Sequence, residues 1–239
     1  MNDVGHDVLG LARILLGVAI AIGGYRFLRA SLITIALLEG GNYLGTVMSV
    51  LVYEYAVDRS EYWVTFVLGG ALCALVAGLH TKSGVWIAGF CAGTELANLV
   101  MGLFSYAGSD GLALVWMAMA GVVCAILTFV LKKPGLIVAT SFVGASMLIT
   151  GSYYFAAKSI VESAEDYYDM VDSLRTAWWV LFAVCMAFSA MGMFAQASFT
   201  AKGINHEAQQ LLVEANADAG ALAYDNVQTP QEAKALDHV

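Results

Sequence analysis

The sequence predicts an all-α polytopic membrane protein with seven transmembrane helices, built from three helical hairpins plus a seventh helix. Three observations predict it. Apolar residues make up 60% of the chain and charged residues only 13%, against roughly 45–50% and about 25% in ordinary soluble domains; mean hydropathy is +0.74. Seven runs are long enough to cross a bilayer, which takes about 20 mostly apolar residues. Finally, a pattern recurs: Arg29 to Gly40, Lys82 to Gly93 and Lys133 to Gly144 each spans eleven positions, and the residue four before each glycine is Ala36, Gly89 or Thr140.

Taken in order, the first run is Val8–Gly24. No basic region precedes it and it leads straight into the repeat, so it reads as a span rather than a cleavable signal peptide. It ends on the basic turn Gly24-Tyr25-Arg26-Phe27-Leu28-Arg29. The second, Ala30–Tyr53, carries Glu39 and Asn42 near its middle. The third, Tyr62–His80, contains Gly69-Gly70, and the fourth, Gly84–Tyr106, follows Lys82 and carries Glu95 and Asn98. The fifth, Gly111–Leu131, ends at Lys132-Lys133; the sixth, Pro134–Ala157, contains Ser146. The seventh, Leu174–Ser198, has no lysine at mid-membrane, which argues against a retinal Schiff base. Each run is apolar around its whole circumference, unlike an amphipathic surface helix. Hydrocarbon requires backbone polar groups to be satisfied within the segment, so strands do not compete. The pairs Ala36/Gly40, Gly89/Gly93 and Thr140/Gly144 have the small-xxx-small spacing that lets membrane helices approach backbone to backbone. Helices 2, 4 and 6 are therefore expected to pack together through them.

Charge sets the orientation. The turns after helices 1, 3 and 5 carry Arg26, Arg29, Lys82, Lys132 and Lys133, whereas the opposite loops are mostly acidic. Basic short loops stay cytoplasmic, so the N-terminus is expected outside and the C-terminus inside, with the plasma membrane favoured. Tyr53, Tyr55, Tyr62, Trp63, Tyr106, Tyr153, Tyr154, Trp178 and Trp179 gather near the outer interface, as belt aromatics do. Residues 1–200 form the membrane domain, and 201–239 read as an acidic, mostly disordered cytoplasmic tail with a short helix at His206–Ala217.

The net charge of −8 sits in the loop 158–175 and in the tail, which excludes nucleic acid as a partner. The loop's acidic residues lack the spacing and central glycine of a calcium motif, so they read as a solvated face. Cys73, Cys91, Cys124 and Cys185 lie on four different runs without ligand spacing and read as packing residues. No nucleophile–base pair, phosphate loop or metal motif appears, so no enzymatic activity and no cofactor are expected.

Three segments carry a resemblance: Gly24-Tyr25-Arg26-Phe27-Leu28-Arg29-Ala30, the glycine-spaced Gly84-Val85-Trp86-Ile87-Ala88-Gly89-Phe90-Cys91-Ala92-Gly93, and Pro134-Gly135-Leu136-Ile137-Val138-Ala139-Thr140-Ser141-Phe142-Val143-Gly144-Ala145. In that order they resemble the seven-helix membrane domain of transmembrane protein 198 and its relatives, over about residues 8–198. The resemblance implies a seven-helix fold and little chemistry, some members being linked to membrane scaffolding in signalling. It also implies apolar residues at the positions of Glu39 and Glu95, so any role for these two is this protein's own.

Charge inside a bilayer costs about 2.5–3.5 kcal/mol per residue on insertion scales. Arg13 and Glu39 each stand thirteen positions from Arg26, and Glu95 stands thirteen from Lys82, about 20 Å above the basic turns. Asn42, Asn98 and Ser146 complete a candidate intramembrane polar cluster. One reading makes it structural: Arg13 pairs with Glu39 across the first hairpin, and Glu95, held as the neutral acid, bonds to Asn98 or Asn42. The other leaves one carboxylate uncompensated to bind a proton or cation. The expected function is a non-enzymatic membrane scaffold or subunit of a larger complex, in contact with lipid and with other membrane subunits or copies of itself. The alternative is a small ion or proton channel or transporter using Glu39 and Glu95.

Overall fold

A computed structural model describes residues 2–52, 59–103, 110–163 and 167–201. The predicted tail and its short helix lie outside the described residues, as do the side chains of the acidic loop from Glu162 to Asp172 and those of Tyr53, Tyr55 and Tyr106. Every element among the described residues is helical: α1 (Asn2–Gly23), α2 (Leu28–Ile35), a π-helical turn (Ala36–Gly40), α3 (Gly41–Val52), α4 (Arg59–Leu79), α5 (Thr81–Leu103), α6 (Asp110–Leu131), α7 (Lys133–Ser163), α8 (Tyr167–Ala195) and a second π turn (Gln196–Thr200). Among the described residues, six helices are long and apolar enough to cross a membrane. The remaining predicted run, Ala30–Tyr53, is divided into α2, the first π turn and α3, which follow one another without a break.

The connections at the basic end are short. Between α4 and α5 only His80 is non-helical, and between α6 and α7 only Lys132. Lys132 adopts φ 53°, the left-handed conformation that commonly ends a helix. Pro134 falls in the first turn of α7, where its missing N–H interrupts no helical bond. Arg29 Nη2 donates to the Gly78 carbonyl at 2.8 Å, and Lys133 Nζ donates to the Ala201 carbonyl at 2.8 Å. Those bonds gather the three basic turns and the end of α8 at one end of the molecule. At the other end stand the rings of His6 and Trp63 (4.9 Å between centroids) and of Tyr153 and Trp178 (4.9 Å).

Glycines decide which helices touch. A Cβ on Gly17 would lie 2.6 Å from the Gly144 carbonyl oxygen and 2.7 Å from Leu148 N, and one on Gly24 would lie 2.8 Å from Thr140 Cβ. Gly10 faces Tyr154 and Phe155 at 3.1–3.3 Å, so Gly10, Gly17 and Gly24 form a seven-residue stripe along an antiparallel α1/α7 contact. Likewise a Cβ on Gly41 would meet the Phe66 carbonyl at 2.6 Å, and Gly45 faces Tyr62 at 2.7 Å, which seats α3 on α4. A Cβ on Gly89 would meet Ala125 Cα at 2.8 Å, and Gly93 abuts Ala120 and Gly121, which seats α5 on α6.

The expected packing of helices 2, 4 and 6 holds in part, since α5 lies against α2, the first π turn and α7. The faces Ala36/Gly40, Gly89/Gly93 and Thr140/Gly144 are buried, but each glycine's tightest neighbours lie on an odd-numbered predicted helix rather than on the other two faces. Gly40 meets Cys73 of α4, Gly93 meets α6, and Gly144 meets α1. The tight pairs are thus helices 2 with 3, 4 with 5, and 6 with 1, a cyclic order that the three basic-turn hairpins do not describe. The physical reason is that the odd helices supply small residues of their own at these crossings, Gly70, Gly121 and Gly17, and two small surfaces allow the closest backbone approach.

The most buried span is α7, with 72% of its apolar window covered against 17–50% in the others. It contributes Ala145 and Ile149 to a core with Leu99 of α5 and Cys185 of α8, packed against Phe142, Trp178, Leu181, Phe182 and Phe188. On α4 and α6 the outward residues are large and apolar, among them Leu68, Leu72, Leu75, Val123, Leu127 and Val130.

Candidate functional site

A π turn inserts one extra residue into a helix and re-aims the side chains around it. Here the turn Ala36–Gly40 carries Glu39 inward, leaving it 4% exposed. The turn is pressed onto α4, because the Leu37 carbonyl sits against Gly70 with no room for a Cβ. From α1, Arg13 Nη2 donates to Glu39 Oε2 at 3.3 Å, the guanidinium side chain being 15% exposed. From α5, Glu95, 7% exposed, faces the Glu39 carboxyl. Two carboxyl groups that face each other away from water cannot both carry charge at low cost, so one holds a proton. One guanidinium, one carboxylate and one carboxylic acid make a neutral cluster, which is how such groups persist in a low-dielectric interior.

The cluster is not saturated. Arg13 Nε, Glu39 Oε1 and Glu95 Oε2 are buried without a hydrogen-bond partner. Tyr62 of α4 completes its surroundings, interacting electrostatically with Arg13 and Glu39 while its hydroxyl donates to Asn42 Oδ1 at 2.9 Å.

The six residues singled out in the sequence therefore divide. Arg13, Glu39 and Glu95 come together, and Asn42 reaches their surroundings through Tyr62. Asn98 is exposed on α5, and the Ser146 hydroxyl donates to the Val143 carbonyl of its own helix at 2.9 Å. Two details of the expectation are corrected. Glu95 lies beside Glu39, while Asn98 stands on the exposed side of α5. Arg13 reaches Glu39 from a helix seated on α7, not from one packed along α2, because the glycine stripe of α1 fits α7.

A second polar site escaped the sequence reading. Gln196, wholly buried in the second π turn, donates through Nε2 to the carbonyls of Ile20 (3.1 Å) and Ala21 (2.8 Å). Its Oε1 accepts from Tyr25 N (3.2 Å) and lies 3.1 Å from Thr140 Oγ1, whose single proton has its shorter contact with the Leu136 carbonyl (2.8 Å). Both donors of the amide and its oxygen are thereby engaged, tying the end of α8 to the end of α1 and to the first basic turn, against α7. The signal was available as a lone amide inside an apolar run. Tyr62 gave no such signal, since a tyrosine at a span's edge reads as a belt residue.

The described residues also line two cavities. One, of about 330 Å³, is lined by Gly40, Tyr43, Cys73, Trp86, Phe90 and Val122 among others, between the first π turn and α3 to α6. The other, of about 490 Å³, lies between α7 and α8, against Ala156, Ser173, Thr176 and Val180. Neither is lined by Glu39 or Glu95.

The family model described as TM7S3/TM198-like domain matches residues 10–197. No curated protein and no solved structure is matched.

Proposed function

The chain belongs to the TM7S3/TM198-like domain family, a multi-pass membrane protein in contact with lipid, and from that premise we propose that it is a non-enzymatic scaffold or subunit of a larger membrane complex. One observation carries the reading: the charged and amide side chains buried inside the spans stand where different helices meet. Arg13, Glu39 and Glu95 meet from α1, the first π turn and α5; Tyr62 and Asn42 link α4 and α3; Gln196 links α8 to α1 and the first basic turn. Neutral contacts of this kind hold membrane helices together at about 0.6 kcal/mol each, and breaking a buried ion pair costs about 3–5 kcal/mol. In this reading seven segments cross the membrane, α2 to α3 serving as one of them. The basic turns face the cytoplasm and the N-terminus faces outward, with lateral contacts to other subunits or further copies of the chain.

The second reading, proton or cation transport through Glu39 and Glu95, is favoured by the three unpartnered buried atoms of the cluster. Flux across proteoliposomes separates the two. Under the scaffold reading neither the parent nor Glu95→Gln carries pH-driven or cation-driven flux. Flux in the parent that Glu95→Gln loses replaces the scaffold with a transporter.

A further inference from the structure

The cavity beside the first π turn has no polar counterpart for a soluble ligand, since Tyr43, Leu44, Trp86, Ile87, Phe90, Val122 and Ala125 give it apolar walls. It opens sideways: Trp86 and Val122 are 40% and 50% exposed on the surfaces of α5 and α6. Both helices are among the candidate spans, so the medium outside the mouth is hydrocarbon. Its chemistry selects the occupant: the groove, about 330 Å³ and apolar throughout, suits a hydrocarbon chain, which brings no polar group that the walls would leave unpaired.

Charge lies where the head group would be. Lys82, exposed in the first turn of α5, is four positions before Trp86 and so on the same helix face. His80, also exposed, precedes it, and Arg29, hydrogen-bonded to the carbonyl of Gly78, stands at the same end. Basic residues at the mouth of an interhelical groove are the arrangement that holds anionic lipid head groups.

From this juxtaposition of an apolar groove and a basic rim we infer that the chain carries a specific site for an anionic phospholipid, its acyl chain in the groove between α3, α4, α5 and α6 and its phosphate at Lys82. The site is separate from the Arg13–Glu39–Glu95 cluster and holds whichever function that cluster serves. A lipid there covers the apolar wall beside Gly40 and so braces the π turn that positions Glu39.

Trp86 reports on occupancy. The full-length chain in nanodiscs is compared with Trp86→Phe, the difference giving the fluorescence of Trp86 alone. Phospholipids with brominated acyl chains, phosphatidylglycerol or phosphatidylcholine, are titrated as quenchers. One favourable lysine contact corresponds to about a fivefold preference, so phosphatidylglycerol half-quenches Trp86 at about one-fifth the mole fraction of phosphatidylcholine. Lys82→Gln, at the exposed rim, removes that preference. Val122→Phe, which narrows the mouth, weakens quenching by both lipids. If Val122→Phe does not fold, the Lys82→Gln comparison still decides. Quenching indifferent to the head group, or to either substitution in a folded variant, identifies ordinary boundary lipid and overturns the proposal.

Discussion

Replacing Gly144 with alanine adds one methyl group where the structure has no space for it. The new Cβ would lie 2.7 Å from the Gly17 carbonyl oxygen and 2.8 Å from Ala21 Cα, and it would also press on Ala21 N. All three are backbone atoms of α1, so no side chain can rotate away and the two helices must separate. Overpacking costs about 1–3 kcal/mol, and rigid backbone neighbours place this site at the upper end. Alanine's better helix propensity returns about 0.5–1 kcal/mol, leaving a net loss of about 2 kcal/mol. The control is Gly78→Ala on α4, whose Cβ would meet only Ile33 Cδ1 at 3.5 Å. It gains the propensity term without the clash. The two variants should differ by about 3 kcal/mol, which at about 2–4 °C per kcal/mol separates their thermal midpoints by about 6–12 °C. The assay is thermal unfolding of both variants in one detergent. Equal midpoints would refute the close α1/α7 contact and with it the cyclic order of helices.

Three further outcomes follow from the same contacts. Gln196→Leu should lower stability by about 1–3 kcal/mol, because the buried bonds of the amide to Tyr25 N and to the Ile20 and Ala21 carbonyls are lost; faster tryptic cleavage at Arg26 and Arg29 reports the loosened turn. Glu95→Gln should leave the thermal midpoint within about 2 °C of the parent, since the amide is a neutral isostere of the carboxylic acid. A tag at the C-terminus should be reached by antibody only after the membrane is permeabilised, and a tag at the N-terminus without it; the reverse pattern overturns the orientation.

The helical membrane fold was legible because hydrocarbon imposes a length and an apolarity that few residues can disguise. Arg13 and Glu39 were placed level by simple rise per residue, and the structure sets them 3.3 Å apart. Helix partners were not legible from the basic turns. Connection by a short turn places two helix ends near each other, whereas packing along their lengths depends on surfaces, and the surface of α1 is set by Gly10, Gly17 and Gly24. That stripe stood in the sequence at a spacing of seven, hidden behind the more conspicuous four-residue pairs. The π turns were invisible as well. Nothing in Ala36–Gly40 or Gln196–Thr200 departs from ordinary helix composition, yet they carry the two most consequential buried polar side chains, Glu39 and Gln196.

The claim on which the account rests is that charge inside this bundle serves to join helices. A double-mutant cycle over Arg13→Met and Glu39→Met, read as unfolding free energy in detergent, tests it most directly. Each single substitution strands a buried charge and should cost about 3–5 kcal/mol, while the double substitution, which removes both charges and keeps the volume, should return close to the parent. The account predicts a coupling of several kcal/mol. Single effects that simply add, within about 0.5 kcal/mol, would contradict it.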